Sequence, residues 1–251
     1  MKRPTLHILV LISLFLFCSS NFLDAQNNSL KVVDINGKKF LSLNPEPSPK
    51  NMVWGDFGSK IESYYGVVAY SNGARKSGRK YQCTELIHRF LTEIYGIPSS
   101  INLGLGNGKD LAKNIAEYYK SAVGTSDTLQ GYSIRLENFE NKKSIYPPVT
   151  GSIVSMYFNS NNTGYGHVAI IREIKVNEDG MVEATLFDQH GFAHKQAGIP
   201  IEADHLLFEK DPNGKWCGQV LSWKYDRKYA VISWTNPVIV EDDLTTSIET
   251  D

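Results

Sequence analysis

The sequence predicts an α+β fold in which a helix that carries a cysteine packs on an antiparallel β-sheet that carries a histidine. Apolar residues recur at the spacing of one helix face from Cys83 onward, and five β-rich segments follow after Gly151. Clusters of Asn, Asp, Ser and Gly separate several of those segments, as expected for turns between neighbouring strands. The 251 residues suffice for one domain of ordinary core size with a small extension.

The N-terminal segment has the pattern of a signal peptide. A basic start is followed by a short apolar run over residues 6–17, and a small residue, Ala25, precedes the predicted cleavage point. The apolar run is shorter than the roughly 20 residues that span a membrane. We therefore expect a protein exported to the periplasm or the extracellular space. Lipid anchoring through Cys18 is the less favoured alternative, because such sites require a small preceding residue and a phenylalanine stands there.

A hairpin and a linker are predicted ahead of the main unit. Asn36 and Gly37 separate two strand-like runs, and this dipeptide is the strongest short hairpin signal. Alternating prolines over residues 44–49 then predict an extended linker. The predicted organisation is a signal peptide at 1–25, the hairpin and proline-rich linker at 26–57, a catalytic domain at 58–237 and an acidic tail at 238–251.

The helix that begins at Cys83 is the most informative element. Gly96 is its predicted C-terminal stop. Its predicted apolar face consists of Cys83, Leu86, Ile87, Phe90, Leu91 and Ile94. Unpaired backbone N–H groups and the positive end of the helix dipole lie next to the thiol, an environment that favours a nucleophilic thiolate. Two other interpretations stay open: Cys83 is a small core residue, or it forms a disulfide with Cys217.

A second amphipathic helix is predicted over residues 109–122. The residues predicted on its apolar face are Leu111, Ala112, Ile115, Tyr118 and Tyr119. The glycine-rich segment before it, residues 102–108, lacks the Lys-Ser/Thr ending of a phosphate loop. We therefore expect that segment to form a loop beside the cleft.

The predicted strands place candidate polar side chains near one another. They cover residues 152–158, 167–174, 181–189, 220–223 and 229–234. His167 begins the second of them, and the alternation of the third extends its core face to Asp188 and His190, while Gln189 points the other way. If these two strands pair antiparallel, Asp188 or His190 orients the His167 ring and stabilises an imidazolium beside a thiolate. The alternatives are a solvated turn carboxylate and a partly exposed turn histidine.

Composition and spacing exclude several classes of function. The formal net charge is −1, and no Lys/Arg-rich block follows the N-terminal segment, so we expect no nucleic-acid partner. No His, Cys and Asp cluster has zinc spacing, and no Asp-rich calcium loop is present. The sequence therefore predicts neither a metal nor a cofactor.

Three stretches together resemble the CHAP domain family, the cysteine, histidine-dependent amidohydrolases and peptidases. The stretches are residues 81–91, 166–171 and 188–190. The resemblance covers about residues 58–236. Residues 66–71, together with Trp223 or Trp234, look like the amidase branch typified by glutathionylspermidine amidase.

The resemblance implies a papain-like fold in which Cys83 is the nucleophile and His167 is the base. The family takes its third and fourth site residues from a Glu-Gln-Asn motif, and here the motif reads Asp188, Gln189 and His190. Two further departures are a serine in place of aspartate in the Gly-Asp-Ile-Val element and a histidine in the arginine pair of the spermidine amidases.

The implied mechanism is acyl transfer through a thioester. Cys83 attacks an amide carbonyl, and the Cys83 backbone N–H, with Gln82 or Tyr70, stabilises the oxyanion. Tyr165 is the first candidate to contact substrate, and Tyr81, Phe192 and Trp216 are further candidates to line the cleft. Aromatic residues at such positions more often belong to the core.

Export together with this site predicts an amide bond of bacterial peptidoglycan as the substrate. The alternatives are an amidase that acts on a small peptide–amine conjugate and an inactive domain that binds wall peptide. The sequence identifies no immunity or inhibitor protein as a partner.

Overall fold

A computed structural model describes residues 30–49, 52–53, 55–73, 80–158, 164–189, 200–201, 204–221 and 229–240. This part of the chain is α+β, with two α-helices, α1 (Cys83–Glu93) and α2 (Gly108–Tyr118), and thirteen strands. The predicted signal peptide, Cys18, His190 and Phe192 lie outside the described residues. Within the described ranges, neither helix has the length and apolarity needed to cross a membrane.

The strands form one large antiparallel sheet and two short two-stranded sheets. They are β1 (Leu30–Ile35), β2 (Lys38–Leu43), β3 (Met52–Val53), β4 (Lys60–Tyr64), β5 (Val67–Tyr70), β6 (Ile134–Glu140), β7 (Ile153–Phe158), β8 (His167–Val176), β9 (Val182–Phe187), β10 (Pro200–Ile201), β11 (His205–Lys210), β12 (Trp216–Val220) and β13 (Tyr229–Ile239). The large sheet has the order β1-β2-β13-β12-β11-β9-β8-β7, and β6 also pairs with β13. Because β13 pairs with β7 as well, a barrel-like ring closes through β7, β8, β9, β11, β12 and β13. The two-stranded sheets are β3 with β10 and β4 with β5.

Two clusters of buried apolar residues lie on opposite faces of this sheet. The helix-side cluster packs α1 and α2 on the strands and includes Leu86, Ile87, Phe90, Leu111, Ile115, Val168, Ile170 and Phe187. The inner cluster is enclosed by the ring of strands and includes Val154, Met156, Ala169, Ile171, Leu186, Phe208, Val231 and Trp234. Because successive strand residues point to opposite faces, β8 and β9 contribute to both clusters and are buried on both sides.

The N-terminal hairpin belongs to the main sheet. β1 and β2 pair antiparallel from Leu30 opposite Leu43 to Ile35 opposite Lys38, and β2 continues the sheet beside β13. Asn36 and Gly37 have φ values of 53° and 78°, the positive values that a two-residue type I′ turn requires. The predicted hairpin is confirmed.

Several element boundaries differ from the prediction. The predicted face of α1 is buried as expected, but α2 ends at Tyr118, and Tyr118 is exposed while Ala116 takes the buried position. The strand predicted at 220–223 is displaced, because β12 begins at Trp216 and ends at Val220. Strands β6 and β11 were not predicted. In β11 the residue between the buried Leu206 and Phe208 is Leu207, and in β6 the exposed Arg135 separates the buried Ile134 and Leu136, the alternation of a half-buried strand.

Candidate active site

Cys83 is the first residue of α1. The preceding residue, Gln82, is the N-cap and has extended backbone angles, but its side chain makes no cap hydrogen bond. The Cys83 N–H is therefore among the four N-terminal donors that have no partner within the helix. Cys83 is buried beside the apolar face of α1 but retains 8% of its accessible surface. Neither Cys83 nor Cys217 is in a disulfide, so the thiol is available for chemistry.

His167 is the first residue of β8 and is almost fully buried. Two glycines allow the chain to pack closely there. A Cβ on Gly108 would lie 2.8 Å from the His167 Cα, so the start of α2 can approach His167 because residue 108 is glycine. Gly166 has φ 64°, and a Cβ there would lie 2.4 Å from the Met156 carbonyl oxygen. The glycine-rich loop before α2 therefore lies against the strand that carries His167.

Asp188 lies beside the His167 ring, in the hydrogen-bonding position that the strand alternation suggested. β8 and β9 pair antiparallel with Ile170 opposite Phe187, so the residue after β9 meets the start of β8. The distance from His167 Nε2 to Asp188 Oδ2 is 2.8 Å. The side chain of Cys83 lies close enough to His167 to raise the pKa of the ring. Since Nε2 faces Asp188, Nδ1 is the ring nitrogen available to the sulfur.

These contacts control the charge on His167. Burial of the ring lowers the pKa of His167, but the hydrogen bond to Asp188 and the interaction with Cys83 outweigh burial and raise that pKa to about 10. An imidazolium between a carboxylate and a thiolate is the charge distribution that such contacts favour. The arrangement can therefore supply a nucleophilic sulfur and a proton donor next to each other.

A second carboxyl group, Asp204, lies near this pair. Its backbone oxygen accepts a 2.9 Å hydrogen bond from the Leu186 N–H, which fixes it beside the end of β9. Burial and the negative charge of Asp188 raise the pKa of Asp204 well above its ordinary value, while His167 acts in the opposite sense. Asp204 therefore adds a second carboxyl group beside the Asp188–His167 pair.

A buried ion pair between Arg172 and Glu62 lies next to Asp188. Arg172 contacts the Glu62 carboxylate, and the Glu62 carboxylate accepts a hydrogen bond from the backbone N–H of Asp188. The Arg172 guanidinium lies between the rings of Tyr64 and Phe187, at 5.3 and 5.8 Å from their centroids. Burial raises the pKa of Glu62 to about 8, against the opposite effect of Arg172. The sequence analysis missed this pair, because nothing local distinguishes two charged residues that are 110 positions apart.

Gln189 anchors α1 to the end of β9. Its side chain is fully buried and points to the helix side of the sheet, as the alternation predicts for the residue after Asp188. It hydrogen-bonds to the Gln82 carbonyl oxygen and to the Tyr70 backbone N–H. The structure therefore brings the two predicted oxyanion residues together through their main chains. No role for Gln189 was predicted from the sequence, although an amide next to Asp188 was the available signal.

The aromatic candidates are in different environments. Tyr165 is 78% exposed, two residues before His167, so its ring is open to solvent beside the site. Tyr81 packs on the Tyr70 ring at 4.9 Å and precedes Gln82. Trp216 is buried in the inner cluster, with Lys210 over its ring. The prediction that Trp216 lines the substrate cleft at Cys83 is wrong, because β12 places Trp216 at the opposite end of the sheet from Asp188.

A cleft of about 960 Å³ lies at that opposite end. Its walls include Val33 of β1, Pro147, Ile174 of β8 and Trp216. Neither Cys83 nor His167 lines it, so this cleft is separate from the candidate site. Across the described residues, no group of three or more His, Cys, Asp and Glu side chains is arranged to hold a metal ion.

Comparison with known proteins finds a family model that matches the part of the chain around this site. The family model of the CHAP domain matches residues 74–189. The matched range contains Cys83, His167 and Asp188, the three side chains that the fold brings together. No curated protein matches the chain. The match supports a CHAP domain in this part of the chain, and because CHAP domains are usually amidohydrolases or peptidases, it supports a hydrolase.

Proposed function

We propose that the protein is an exported cysteine amidohydrolase or peptidase that cleaves an amide bond of bacterial peptidoglycan. Cys83 is the nucleophile, His167 is the acid and base, and Asp188 orients the His167 ring. The observation that carries this proposal is the position of His167, which hydrogen-bonds to Asp188 at 2.8 Å and lies close enough to Cys83 for the thiol to raise the pKa of the ring. A papain-like relation between the Cys83 helix and the His167 strand is part of the proposal. His190 remains an alternative orienting residue.

The reaction proceeds in two acyl-transfer steps. The Cys83 thiolate attacks the amide carbon, and the carbonyl oxygen becomes an oxyanion. The tetrahedral intermediate collapses, the C–N bond breaks, and the His167 imidazolium donates its proton to the leaving amine. Neutral His167 then takes a proton from water, which attacks the thioester carbon. Expulsion of the Cys83 thiolate releases the carboxylic acid and restores the imidazolium–thiolate pair.

The start of α1 provides the oxyanion donor. The Cys83 N–H has no partner within the helix, and the positive end of the helix dipole favours negative charge at this point. Loss of one oxyanion donor costs about 10²–10³ in rate in enzymes of this kind. Gln82 and Tyr70 are the candidates for a second donor, and both lie within the same hydrogen-bonded region.

Peptidoglycan is proposed from the signal-like N-terminal segment and from the class of the domain. An exported hydrolase of amide bonds meets wall peptides, whereas small peptide–amine conjugates are cytosolic. The exposed ring of Tyr165 beside His167 gives an extended peptide a surface to pack on. The amidase branch that includes glutathionylspermidine amidase would predict cleavage of such a conjugate instead.

The test uses purified peptidoglycan with the chain that lacks residues 1–25. Wild type, Cys83→Ala and Cys217→Ala are incubated with the polymer, and released amines and reducing ends are measured. We expect new amines without new reducing ends from wild type and Cys217→Ala, and neither product from Cys83→Ala. Mass analysis of the fragments then identifies the cleaved bond. Equal amine release by wild type and Cys83→Ala would exclude hydrolysis by this thiol.

The same samples distinguish the other functions. Amine release from glutathionylspermidine, with none from peptidoglycan, would replace the proposed substrate by a small conjugate. Sedimentation of the protein with peptidoglycan, without amine release from either substrate, would indicate a domain that binds wall peptide and no longer hydrolyses it.

A further inference from the structure

The Gln189 side-chain amide is fully buried, and both of its polar atoms have two hydrogen-bond partners. Oε1 accepts from the Tyr70 backbone N–H at 2.9 Å and from Arg89 Nη2 at 3.0 Å. Nε2 donates to the Gln82 carbonyl oxygen at 3.0 Å and to Glu85 Oε2 at 2.7 Å. A primary amide offers two donors and two acceptor positions. All four are used, so the orientation of this amide is fully determined.

The contact with the Gln82 carbonyl bears directly on Cys83. Gln82 and Cys83 share one peptide unit, and a planar trans peptide holds its C=O and N–H in opposite directions. The Gln82 carbonyl also accepts from the Glu85 and Leu86 N–H groups, at 3.0 and 3.3 Å, and Gln189 is the side-chain donor that adds to them. Donors that fix this carbonyl also fix the direction of the Cys83 N–H. That N–H is the proposed oxyanion donor, and Gln189 is next to Asp188 in the chain. One side chain thus connects the start of the nucleophile's helix to the residue that orients His167.

Two charged side chains prevent the Gln189 amide from rotating by 180° and exchanging its oxygen and nitrogen. Glu85 and Arg89 form an ion pair along α1, one turn apart, and each also contacts one end of the Gln189 amide. A reversed amide would place its NH₂ group against the Arg89 guanidinium and its oxygen against the Glu85 carboxylate. The backbone before the helix is also constrained, because Tyr81 has φ 57°, a left-handed value that costs a non-glycine residue free energy.

We propose that Gln189 is a positioning residue that holds the Cys83 peptide N–H in the direction required to stabilise the oxyanion. The proposal rests on the proposed function, because an oxyanion forms only if Cys83 attacks a carbonyl. Gln189 should therefore affect the addition of the Cys83 sulfur to a carbonyl carbon. Thiol reactivity as such depends on His167 and Asp188, which Gln189 does not contact through the hydrogen bonds described above.

The test separates carbonyl addition from simple alkylation. Gln189→Met has nearly the same size and no amide. Three rates or affinities are compared with wild type: turnover of soluble wall peptides, binding of the dipeptide aldehyde N-acetyl-alanyl-glycinal, and alkylation by iodoacetamide. The aldehyde accepts the Cys83 sulfur at its carbonyl carbon, and the carbonyl oxygen then occupies the oxyanion position. Iodoacetamide reacts by displacement of iodide at a saturated carbon and forms no oxyanion.

We expect kcat and aldehyde affinity to fall by about 10- to 10³-fold in Gln189→Met, with the alkylation rate and KM little changed. If Gln189→Met does not fold, Gln189→Glu makes the same comparison, because a carboxylate accepts from Tyr70 and Arg89 but donates nothing to Gln82. Asn236→Leu is the matched control. Asn236 on β13 also has a fully buried side-chain amide, which hydrogen-bonds to Pro147 and Ser152. Its loss should lower stability without changing kcat.

Three results would overturn the proposal. Unchanged kcat and aldehyde affinity would show that the amide does not act on the oxyanion site. A parallel fall of turnover and alkylation would indicate a general loss of structure. If wild type cleaves no substrate, the proposed function fails, and the ¹H–¹⁵N resonance of the Cys83 amide decides the positioning role. An unchanged resonance in Gln189→Met then excludes it, whereas a shift retains it.

Discussion

His167 Nε2 lies 2.8 Å from Asp188 Oδ2, and this contact joins the first residue of one strand to the residue that follows the next. The antiparallel register of β8 and β9 brings the two side chains together. A carboxylate in this position holds the ring and stabilises its charged form. The contact therefore determines both the geometry and the charge of the proposed acid and base.

Asp188→Asn should lower activity and shift its pH dependence. The pKa of His167 is raised to about 10 partly by Asp188, so the alkaline limb of kcat/KM in wild type should lie near pH 10. Without the carboxylate, that limb should move to lower pH, and kcat/KM at neutral pH should fall by about 10²–10⁴-fold. The measurement is a pH profile of peptide hydrolysis for both proteins. Asp188→Glu, which keeps a carboxylate, should retain an alkaline limb near that of wild type; an unshifted limb in Asp188→Asn would instead favour His190.

The same contact should make stability depend on pH. The folded-state pKa of His167 is raised above the ordinary value of about 6.5, so the stabilisation is complete below that pH and is lost as pH rises through about 10. The difference in unfolding free energy between wild type and Asp188→Asn should therefore shrink between those limits. Urea unfolding at a series of pH values measures it. A difference that stays constant over this range would mean that His167 is not charged in the folded protein.

The elements that carry the site could be predicted from the sequence because their patterns are local. The Cys83 helix has apolar residues at a 3.6-residue period, and the alternation of β9 continues to Asp188. The groups behind the site could not be predicted in this way. Glu62 and Arg172 are charged, and charged residues are almost never fully buried unless they are paired. Their pairing depends on tertiary contacts that no local pattern records.

The thiol of Cys83 should react faster than an ordinary cysteine at mildly acidic pH. Its interaction with His167 favours the imidazolium–thiolate pair, and the thiolate is the reacting species. We expect His167→Ala to slow iodoacetamide labelling of Cys83 at pH 6 by about tenfold or more, since an ordinary thiol is only a few per cent ionised even at pH 7. Labelling is followed by peptide mass analysis in a Cys217→Ala background. Equal rates with and without His167 would refute the ion pair.

Gly108→Ala should damage the site through its effect on His167. The added Cβ would lie 2.8 Å from the His167 Cα and carbonyl carbon, so α2 or β8 must move. Overpacking of this kind typically costs about 1–3 kcal/mol of stability, and turnover should fall because His167 shifts. Urea unfolding and peptide hydrolysis measure the two effects.

Gly104→Ala is the control for that change, because it lies in the same loop. Gly104 has φ 67° and open space around its Cα, so alanine there costs about 1–2 kcal/mol in backbone strain without touching His167. It should lose stability and retain turnover. If both variants keep full turnover, the close approach of α2 to His167 has no part in catalysis.

The buried Arg172–Glu62 pair should matter more to stability than the exposed ion pairs of the described residues. Each side chain is at most 3% exposed, and removal of Glu62 leaves the Arg172 guanidinium, which stays charged, buried without its carboxylate. Glu62→Gln should therefore cost about 3–5 kcal/mol of unfolding free energy. The double variant Glu62→Gln with Arg172→Met should recover part of that loss, because no isolated charge remains. Lys113→Met is the matched control, since Lys113 pairs with Glu117 on the exposed face of α2, and its loss should cost less than about 0.5 kcal/mol.

The pair should also affect the reaction through Asp188. The Glu62 carboxylate accepts the Asp188 backbone N–H, so its displacement frees the backbone that carries the orienting carboxylate. In the double variant we expect kcat to fall by more than the loss of folded protein accounts for. The alkaline limb of its pH profile should move to lower pH, as in Asp188→Asn. Urea unfolding and the pH profile are measured on the same preparations. If the alkaline limb of the double variant lies at the same pH as in wild type, Asp188 holds its position without Glu62. The pair would then contribute to the stability of the fold alone.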